Sequence, residues 1–223
     1  MTGRPFKAAL LDVDGTLVDS NDAHAHAWVK AFAEAGVIVP FEPVRRSIGM
    51  GGDKLMPRVS GLSDDSPQGR RIASRRGEIF MSEYLPTIRP LRDADRLVAA
   101  LKAHSLTVVA ASSAKKDELG PLLKIAGADQ LLDGATSSDD AEESKPEPDI
   151  VQAALRRARV LAHEAVMIGD TPYDIEAANR AGVRAIAFRS GGWLDEDLHG
   201  AIAIYDGPWD LLARLEASPL LRA

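Results

Sequence analysis

Five short, almost entirely apolar runs constrain the fold of this chain more than any other feature. They cover residues 7–13, 106–111, 165–168, 184–188 and 201–205. A strand that is covered on both faces reads in this way, whereas a strand with one face in water alternates apolar and polar residues. Helical patterns lie between the later runs. Because strands and helices alternate, the sequence predicts an α/β fold with a parallel sheet and right-handed crossovers.

The interval between the first two predicted strands is too long for a simple crossover. It contains roughly ninety residues, whereas a βαβ crossover needs about a dozen or more. Apolar side chains recur at helical spacing within residues 21–35, 67–84 and 93–104. We therefore predict a helical cap formed by residues 20–88, inserted into a core formed by residues 1–19 and 89–223.

Polar side chains follow the predicted strands. They are Asp12 and Asp14 after the first strand, Ser112 and Ser113 after the second, Asp170 and Asp174 after the third, and Lys145 before a later helix. Ligands bind beyond the carboxyl ends of the strands in an open parallel sheet. We therefore expect these side chains to meet at one edge of the sheet.

Four converging carboxylates need a cation, because like charges at close range raise one another's pKa. Carboxylate oxygens without His or Cys partners favour Mg²⁺, which commonly shares the phosphate oxygens of a substrate. A hydroxyl and a lysine suit the other oxygens of a phosphoryl group. The predicted reaction is phosphoryl transfer to a carboxylate. The alternative, an ordinary turn after a buried strand, stays open for the first segment alone.

Composition excludes several other functions. The net charge of −6 disfavours nucleic acid as a partner, and the absence of cysteine removes disulfides and thiolate metal sites. No apolar run is long enough for a membrane span, and we see no signal peptide. We expect a cytoplasmic enzyme, monomeric or dimeric, that acts on a small phosphorylated metabolite.

The ordered set of motifs resembles the haloacid dehalogenase superfamily of Mg²⁺-dependent phosphotransferases. DVDGT at residues 12–16 is similar to its first motif, Ser112 to its second, Lys145 to its third and GDTPYD at residues 169–174 to its fourth. The resemblance covers essentially the whole chain, including a helical insertion after the first motif. It implies a Rossmann-like, doubly wound core with an inserted all-helical cap.

The resemblance also implies a role for each matching residue. Asp12 would be the nucleophile that forms an aspartyl-phosphate, and Asp14 the general acid and then the general base. The implied Mg²⁺ ligands are Asp12, Asp14 through its backbone carbonyl, Asp170 and Asp174. Ser112 and the backbone after Asp12 would hold phosphoryl oxygens, and Lys145 would screen the charge between Asp12 and phosphate. The second acid, Asp14, favours a phosphate ester as substrate.

The cap should select the ester. The glycine-rich stretch SIGMGGDKLM at residues 47–56 is similar to the cap loop of phosphoglycolate-phosphatase-like members. The spacing of His24 and Trp28 instead resembles β-phosphoglucomutase. The candidate substrate-binding residues are Gly15, Ser113, His24, Arg45, Gly51 and Lys54. Arg75 and Arg76 are either further contacts or solvated residues of a charged helix face.

Three hypotheses follow. The first is a phosphoglycolate-phosphatase-like phosphatase that hydrolyses phosphate monoesters, and the second is a hexose-phosphate mutase. The third is a non-enzymatic receiver-like switch, because receiver domains use a similar set of Asp, Ser/Thr and Lys residues. The position of Asp14 and the helical insertion argue against the third hypothesis.

Overall fold

The structure, a computed structural model, describes residues 6–222. The strands are β1 (Ala8–Leu11), β2 (Val18–Asp19), β3 (Arg89–Pro90), β4 (Thr107–Ala111), β5 (Gly134–Thr136), β6 (Ala165–Gly169), β7 (Arg184–Phe188) and β8 (Ala201–Tyr205). The helices are α1 (Asn21–Glu34), α2 (Phe41–Arg45), α3 (Gly52–Ser60), α4 (Pro67–Ile79), α5 (Ala94–Ala103), α6 (Lys116–Ile125), α7 (Asp149–Ala158), α8 (Pro172–Arg180) and α9 (Pro208–Ala213). A π-helical turn at Phe80–Tyr84 continues α4.

Six strands form one sheet in the order β5-β4-β1-β6-β7-β8, and every neighbouring pair is parallel. The strand β1 lies between β4 and β6, with Leu11 opposite Ala110 and Ile168. The residues that follow these three strands therefore leave the sheet side by side. This register places Asp12, Ser112 and Asp170 at one edge.

Helices cover both faces of the sheet. Leu10 of β1 faces a buried cluster with Ile150 of α7 and Ile175 of α8. Leu11, the next residue, faces a second cluster that includes Leu97 of α5. Because neighbouring residues of one strand are buried on opposite faces, β1 reads as a continuous apolar run. The predicted doubly wound α/β fold is confirmed.

The segment between β2 and β3 is helical. It contains α1 to α4, and its two ends pair as a short antiparallel ribbon, with Val18 opposite Pro90 and Asp19 opposite Arg89. The helix α4 begins where the sequence indicates, because the Ser66 hydroxyl accepts a hydrogen bond from the Gly69 amide and Pro67 follows it. Treating residues 20–88 as a separate cap stays a prediction.

Some elements differ from those predicted. The first strand is shorter, Ala8–Leu11 rather than residues 7–13, and the three-residue strand β5 was not predicted. The helix α3 begins inside the glycine-rich stretch, which reads as a loop in the sequence. Within residues 6–222, no helix is both long and apolar enough to span a membrane.

Candidate active site

A lysine and two carboxylates form the centre of the site. The Lys145 ammonium donates to Asp12 Oδ1 at 2.5 Å, to Asp174 Oδ1 at 2.7 Å and to the Ala111 carbonyl at 2.9 Å. Burial disfavours the ammonium, but Asp12 and Asp174 outweigh it and hold the pKa of Lys145 above its ordinary value. The lysine side chain is fully buried, and its two carboxylate partners keep it charged and fix its position.

Asp174 is held at the start of α8. Its second oxygen, Oδ2, accepts from the Thr171 amide at 3.0 Å and the Thr171 hydroxyl at 2.7 Å. These bonds form a capping box, in which the Thr171 hydroxyl also accepts from the Asp174 amide. The helix end thus fixes the carboxylate that the lysine contacts.

Asp170 completes the cluster from the end of β6. It accepts from the Thr16 hydroxyl at 2.9 Å and the Asn21 amide group at 2.8 Å. Gly15 makes this approach possible, because its φ is +73° and a Cβ there would lie 2.1 Å from Asp170 Oδ2. The Gly15 amide donates to the Val18 carbonyl at 2.8 Å, and this hydrogen bond stabilises the turn.

Asp12, Asp170 and Asp174 each offer a carboxylate oxygen, and the three oxygens lie within 4.8 Å of one another. All three residues are buried. Lys145 balances one of the three charges, and a divalent cation would balance the other two. Buried charges require such compensation, and an all-oxygen donor set suits a hard cation. The residues therefore fit a divalent metal ion.

The electrostatics of this cluster favour such an ion. Burial raises the pKa of Asp12 well above its usual range, and Asp174 and Asp170 add to the effect while Lys145 opposes it. Burial and the neighbouring Asp174 raise the pKa of Asp170 to about 7. Without a cation, the charged forms of both carboxylates are therefore disfavoured.

Asp14 has a different environment, although it is only two residues from Asp12. Its Oδ1 accepts from the Ser20 hydroxyl at 2.5 Å and lies 2.9 Å from His24 Nε2. Burial raises the pKa of Asp14, but the charge and hydrogen bond of His24 and the hydrogen bond of Ser20 outweigh it, so the pKa is lowered. The His24 ring stacks on Phe80 at 3.9 Å, which fixes its position.

The two serines after β4 behave differently. Ser112 is buried, and its hydroxyl oxygen accepts from the Ala114 amide at 3.0 Å. The Ser113 hydroxyl donates to the Gly49 carbonyl at 3.3 Å, and so connects the strand end to the helical segment.

A cavity lies over Asp12 and Asp14. Its lining consists of Asp12, Asp14, His24, Trp28, Ile48, Gly49, Met50, Gly52, Arg76, Ser113, Ala114 and Glu118. The room left for water-sized molecules is about 50 Å³. The helical segment therefore covers the carboxylates closely.

The model of the haloacid dehalogenase-like hydrolase family matches residues 9–188. This chain belongs to the haloacid dehalogenase-like hydrolases. The prediction of a hydrolase of this family is confirmed.

Curated and solved relatives agree with the family. A phosphoglycolate phosphatase from Rhodospirillum rubrum is 31% identical over 90% of this chain and 87% of its own length. The protein SUPPRESSOR OF QUENCHING 1 from Arabidopsis thaliana is 32% identical over 82% of this chain, but the match spans only 18% of that protein. The crystal structure of a hydrolase from Pseudomonas syringae superposes with a TM-score of 0.87, at 27% identity over 95% of this chain and 98% of that one. Relatives named as phosphatases agree with the predicted phosphoric monoester hydrolase.

Of the six residues proposed to bind substrate, His24 and Ser113 line the cavity, whereas Gly15, Arg45, Gly51 and Lys54 do not. Arg45 contacts Asp22 at 2.5 Å and the Gly191 carbonyl at 2.8 Å. Lys54 pairs with Glu143, and a Cβ on Gly51 would lie 2.4 Å from Ser144 Cβ. None of Arg45, Gly51 and Lys54 lines the cavity over Asp12. Gly49, Met50 and Gly52 of the same glycine-rich stretch line it instead.

Sequence reasoning assigned no role at this site to Thr16, Ser20, Asn21 and Glu118, and it left Arg76 open between a contact and a solvated residue. Asn21 reads as a helix cap, yet it contacts Asp170. Thr16 is the last residue of the first motif, and Ser20 and Asn21 follow that motif within a few residues. This proximity is the one signal that could have identified them. Glu118 gave no comparable signal.

Proposed function

We propose that this protein is a Mg²⁺-dependent phosphatase that hydrolyses small phosphate monoesters through an aspartyl-phosphate on Asp12. One observation carries the proposal: Asp12 lies at the cavity, contacts Lys145 and belongs to a buried cluster of three carboxylates, while Asp14 lies beside it in a separate polar environment. Two carboxylates with different environments suit two different roles.

In the first half-reaction, a carboxylate oxygen of Asp12 attacks phosphorus and the ester P–O bond breaks. The leaving alkoxide takes a proton from the pair formed by Asp14 and His24, whose Oδ1 and Nε2 lie 2.9 Å apart. This proton transfer lowers the barrier because an alkoxide is a poor leaving group. Ser112 and Lys145 are proposed to hold the phosphoryl oxygens.

In the second half-reaction, water attacks the phosphorus of the aspartyl-phosphate. Asp14 accepts the proton of this water, the P–O bond to Asp12 breaks, and the Asp12 carboxylate and inorganic phosphate result. The lowered pKa of Asp14 supports this step, because a base must be ionised before it can accept the proton.

Asp12, Asp170 and Asp174 would hold Mg²⁺, and Asp14 would add its backbone carbonyl. The bound ion would supply charge stabilisation of the phosphoryl oxygens and keep Asp12 ionised. The donor set and the raised pKa values of Asp12 and Asp170 support this assignment.

The proposed substrate is a small phosphorylated metabolite, which the tight cavity supports. A phosphoglycolate phosphatase is among the relatives, so phosphoglycolate belongs in the test. A cytoplasmic location and a monomeric or dimeric state remain predictions from the sequence. The family and its hydrolase relatives favour an enzyme over the receiver-like switch.

The test is the release of free phosphate from a panel of esters with Mg²⁺ or with a chelator, including phosphoglycolate, hexose phosphates and 4-nitrophenyl phosphate. We expect Mg²⁺-dependent release, reduced about 10³-fold or more in Asp12→Asn. Asp19→Asn is the matched control, because Asp19 is exposed and should leave turnover unchanged. Near-normal turnover in Asp12→Asn would contradict the proposal. Exchange of hexose-phosphate isomers with little free phosphate would favour the mutase.

A further inference from the structure

A buried ion pair lines the cavity beside the proposed reaction centre. Arg76 Nη1, from α4, donates to Glu118 Oε1 at 2.9 Å and to Oε2 at 2.8 Å, and Glu118 belongs to α6 of the core. Only 11% of the Arg76 side chain and 2% of the Glu118 side chain are exposed. Both residues belong to the cavity lining together with Asp12.

Arg76 is the only Lys or Arg side chain in the described lining of this cavity. A substrate whose leaving group carries a second negative charge would bury that charge in the cavity. A buried charge needs a cation to pair with it. Lys145 is engaged by Asp12 and Asp174, and Arg45 and Lys54 lie outside the lining. The charge of Arg76 is already balanced by Glu118, and a carboxylate on the substrate would displace Glu118 into a buried and unpaired state.

The pair still leaves hydrogen-bonding capacity for a neutral group. Arg76 Nε is buried and has no partner among the described residues, while the guanidinium carbon lies 5.2 Å from the centre of the Trp28 ring. An alcohol oxygen can accept from a guanidinium N–H that Glu118 does not use, and an alcohol proton can be donated to a Glu118 oxygen. A carboxylate can do only the first of these and is repelled by Glu118.

We propose that the Arg76–Glu118 pair makes this enzyme selective for phosphate esters of neutral, hydroxylated alcohols and against esters that carry a carboxylate. This inference rests on the proposed phosphatase function and adds the substrate class. Glu118 attracts Arg76 and repels a carboxylate on the substrate. Such repulsion is a general way to reject a competing ligand.

Two esters of the same carbon number isolate the effect. Glycerol 3-phosphate ends in a neutral CH₂OH group where 3-phosphoglycerate carries a carboxylate. We expect the wild-type kcat/KM to favour glycerol 3-phosphate by at least about tenfold. In Glu118→Gln the neutral amide no longer balances Arg76, so we expect the ratio to shift toward 3-phosphoglycerate by at least about tenfold.

The ratio between two substrates on one protein cancels any general loss of folded enzyme. Arg75→Gln is the matched control, because Arg75 adjoins Arg76 but makes exposed pairs with Glu34 and Glu78; it should keep the wild-type ratio. The wild-type ratio decides the inference even if Glu118→Gln does not fold.

Three results would count against the inference. A wild-type enzyme that cleaves 4-nitrophenyl phosphate but does not prefer glycerol 3-phosphate over 3-phosphoglycerate would overturn the substrate class alone. An unchanged ratio in folded Glu118→Gln would overturn the role of the pair. No turnover of any ester with Mg²⁺, including 4-nitrophenyl phosphate, would overturn the phosphatase function and this inference with it.

Discussion

Asp12 and Asp14 are two residues apart in the chain, yet their surroundings shift their pKa values in opposite directions. Burial and two more carboxylates raise the pKa of Asp12. Burial acts on Asp14 too, but His24 and Ser20 outweigh it and lower its pKa. The reason is geometric, because Asp12 contacts Lys145 within the acidic cluster, whereas Asp14 contacts Ser20 and His24 at the start of α1. Such a difference is what a nucleophile and an acid–base group need.

The stability of the metal-free protein should depend on Asp170. Its pKa is raised to about 7 in the folded state, against about 3.9 in an unfolded chain. Between these values the folded state keeps a proton that the unfolded state has lost, so the free energy of unfolding falls as the pH rises. The contribution of one group is at most about 1.4 kcal/mol per pH unit. Thermal unfolding in a chelator between pH 4 and 8 measures it.

Asp170→Asn is the comparison variant for that measurement. It removes the titrating group, so its melting temperature should fall less with rising pH than that of the wild type. Mg²⁺ should restore wild-type stability most strongly near pH 8, where the carboxylates are ionised. A wild-type pH dependence that matches the variant throughout would contradict the assignment.

Some residues of the site could be predicted and others could not. Asp12, Ser112 and Asp170 follow apolar strands, and parallel strands bring their ends together whatever the rest of the chain does. The Arg76–Glu118 pair depends instead on how α4 packs against α6, across 42 positions of sequence. No local pattern records that packing, and the sequence therefore left Arg76 open between a further contact and a solvated residue of a charged helix face.

At the scale of elements, the β2–β3 ribbon joins the helical segment to the sheet. It has one pair of two-residue strands, so few hydrogen bonds resist bending there. The Ser113 hydroxyl contacts the Gly49 carbonyl, and Ser144 Oγ lies 2.6 Å from Asp53 Oδ1, so two further contacts join the helical segment to the core. In the proposed reaction, the segment must open for substrate and close to exclude water.

A cross-link between α3 and the loop before α7 tests this motion. The chain has no cysteine, so Asp53→Cys with Ser144→Cys introduces one defined pair of thiols. Oxidation should lower turnover by at least about tenfold, because the closed segment excludes substrate, and a reductant should restore it. Each single variant is the control. A disulfide confirmed by thiol titration, with turnover unchanged, would contradict the need for opening.

The elements that were not predicted, such as β5 and α3, have no clear local sequence pattern. The strand β5 has three residues, with glycine first, and offers no period to read. The helix α3 begins with glycine and contains Pro57, both poor helix formers, so its packing decides its conformation. The longer helices were predicted to within a few residues, because their apolar faces and caps agree.

At the scale of the whole molecule, the fold brings three carboxylates together with one lysine, so two negative charges lack a positive partner. The central strands deliver Asp12 and Asp170 to one buried edge, α8 adds Asp174, and the described residues offer Lys145 as the cation in contact with this cluster. The helical segment then covers this edge. This arrangement would bind a cation and a phosphoryl group. The phosphoryl group should be transferred first to Asp12 and then to water.

The most direct test of that claim is a pre-steady-state measurement on Asp14→Asn with 4-nitrophenyl phosphate and Mg²⁺. Nitrophenolate leaves without a proton, so Asp12 can still be phosphorylated, whereas hydrolysis of the aspartyl-phosphate lacks its base. We expect a burst of about one nitrophenolate per enzyme, slow turnover afterwards, and phosphate on the peptide that contains Asp12, which hydroxylamine releases. The absence of a burst, or phosphate on another residue, would contradict it.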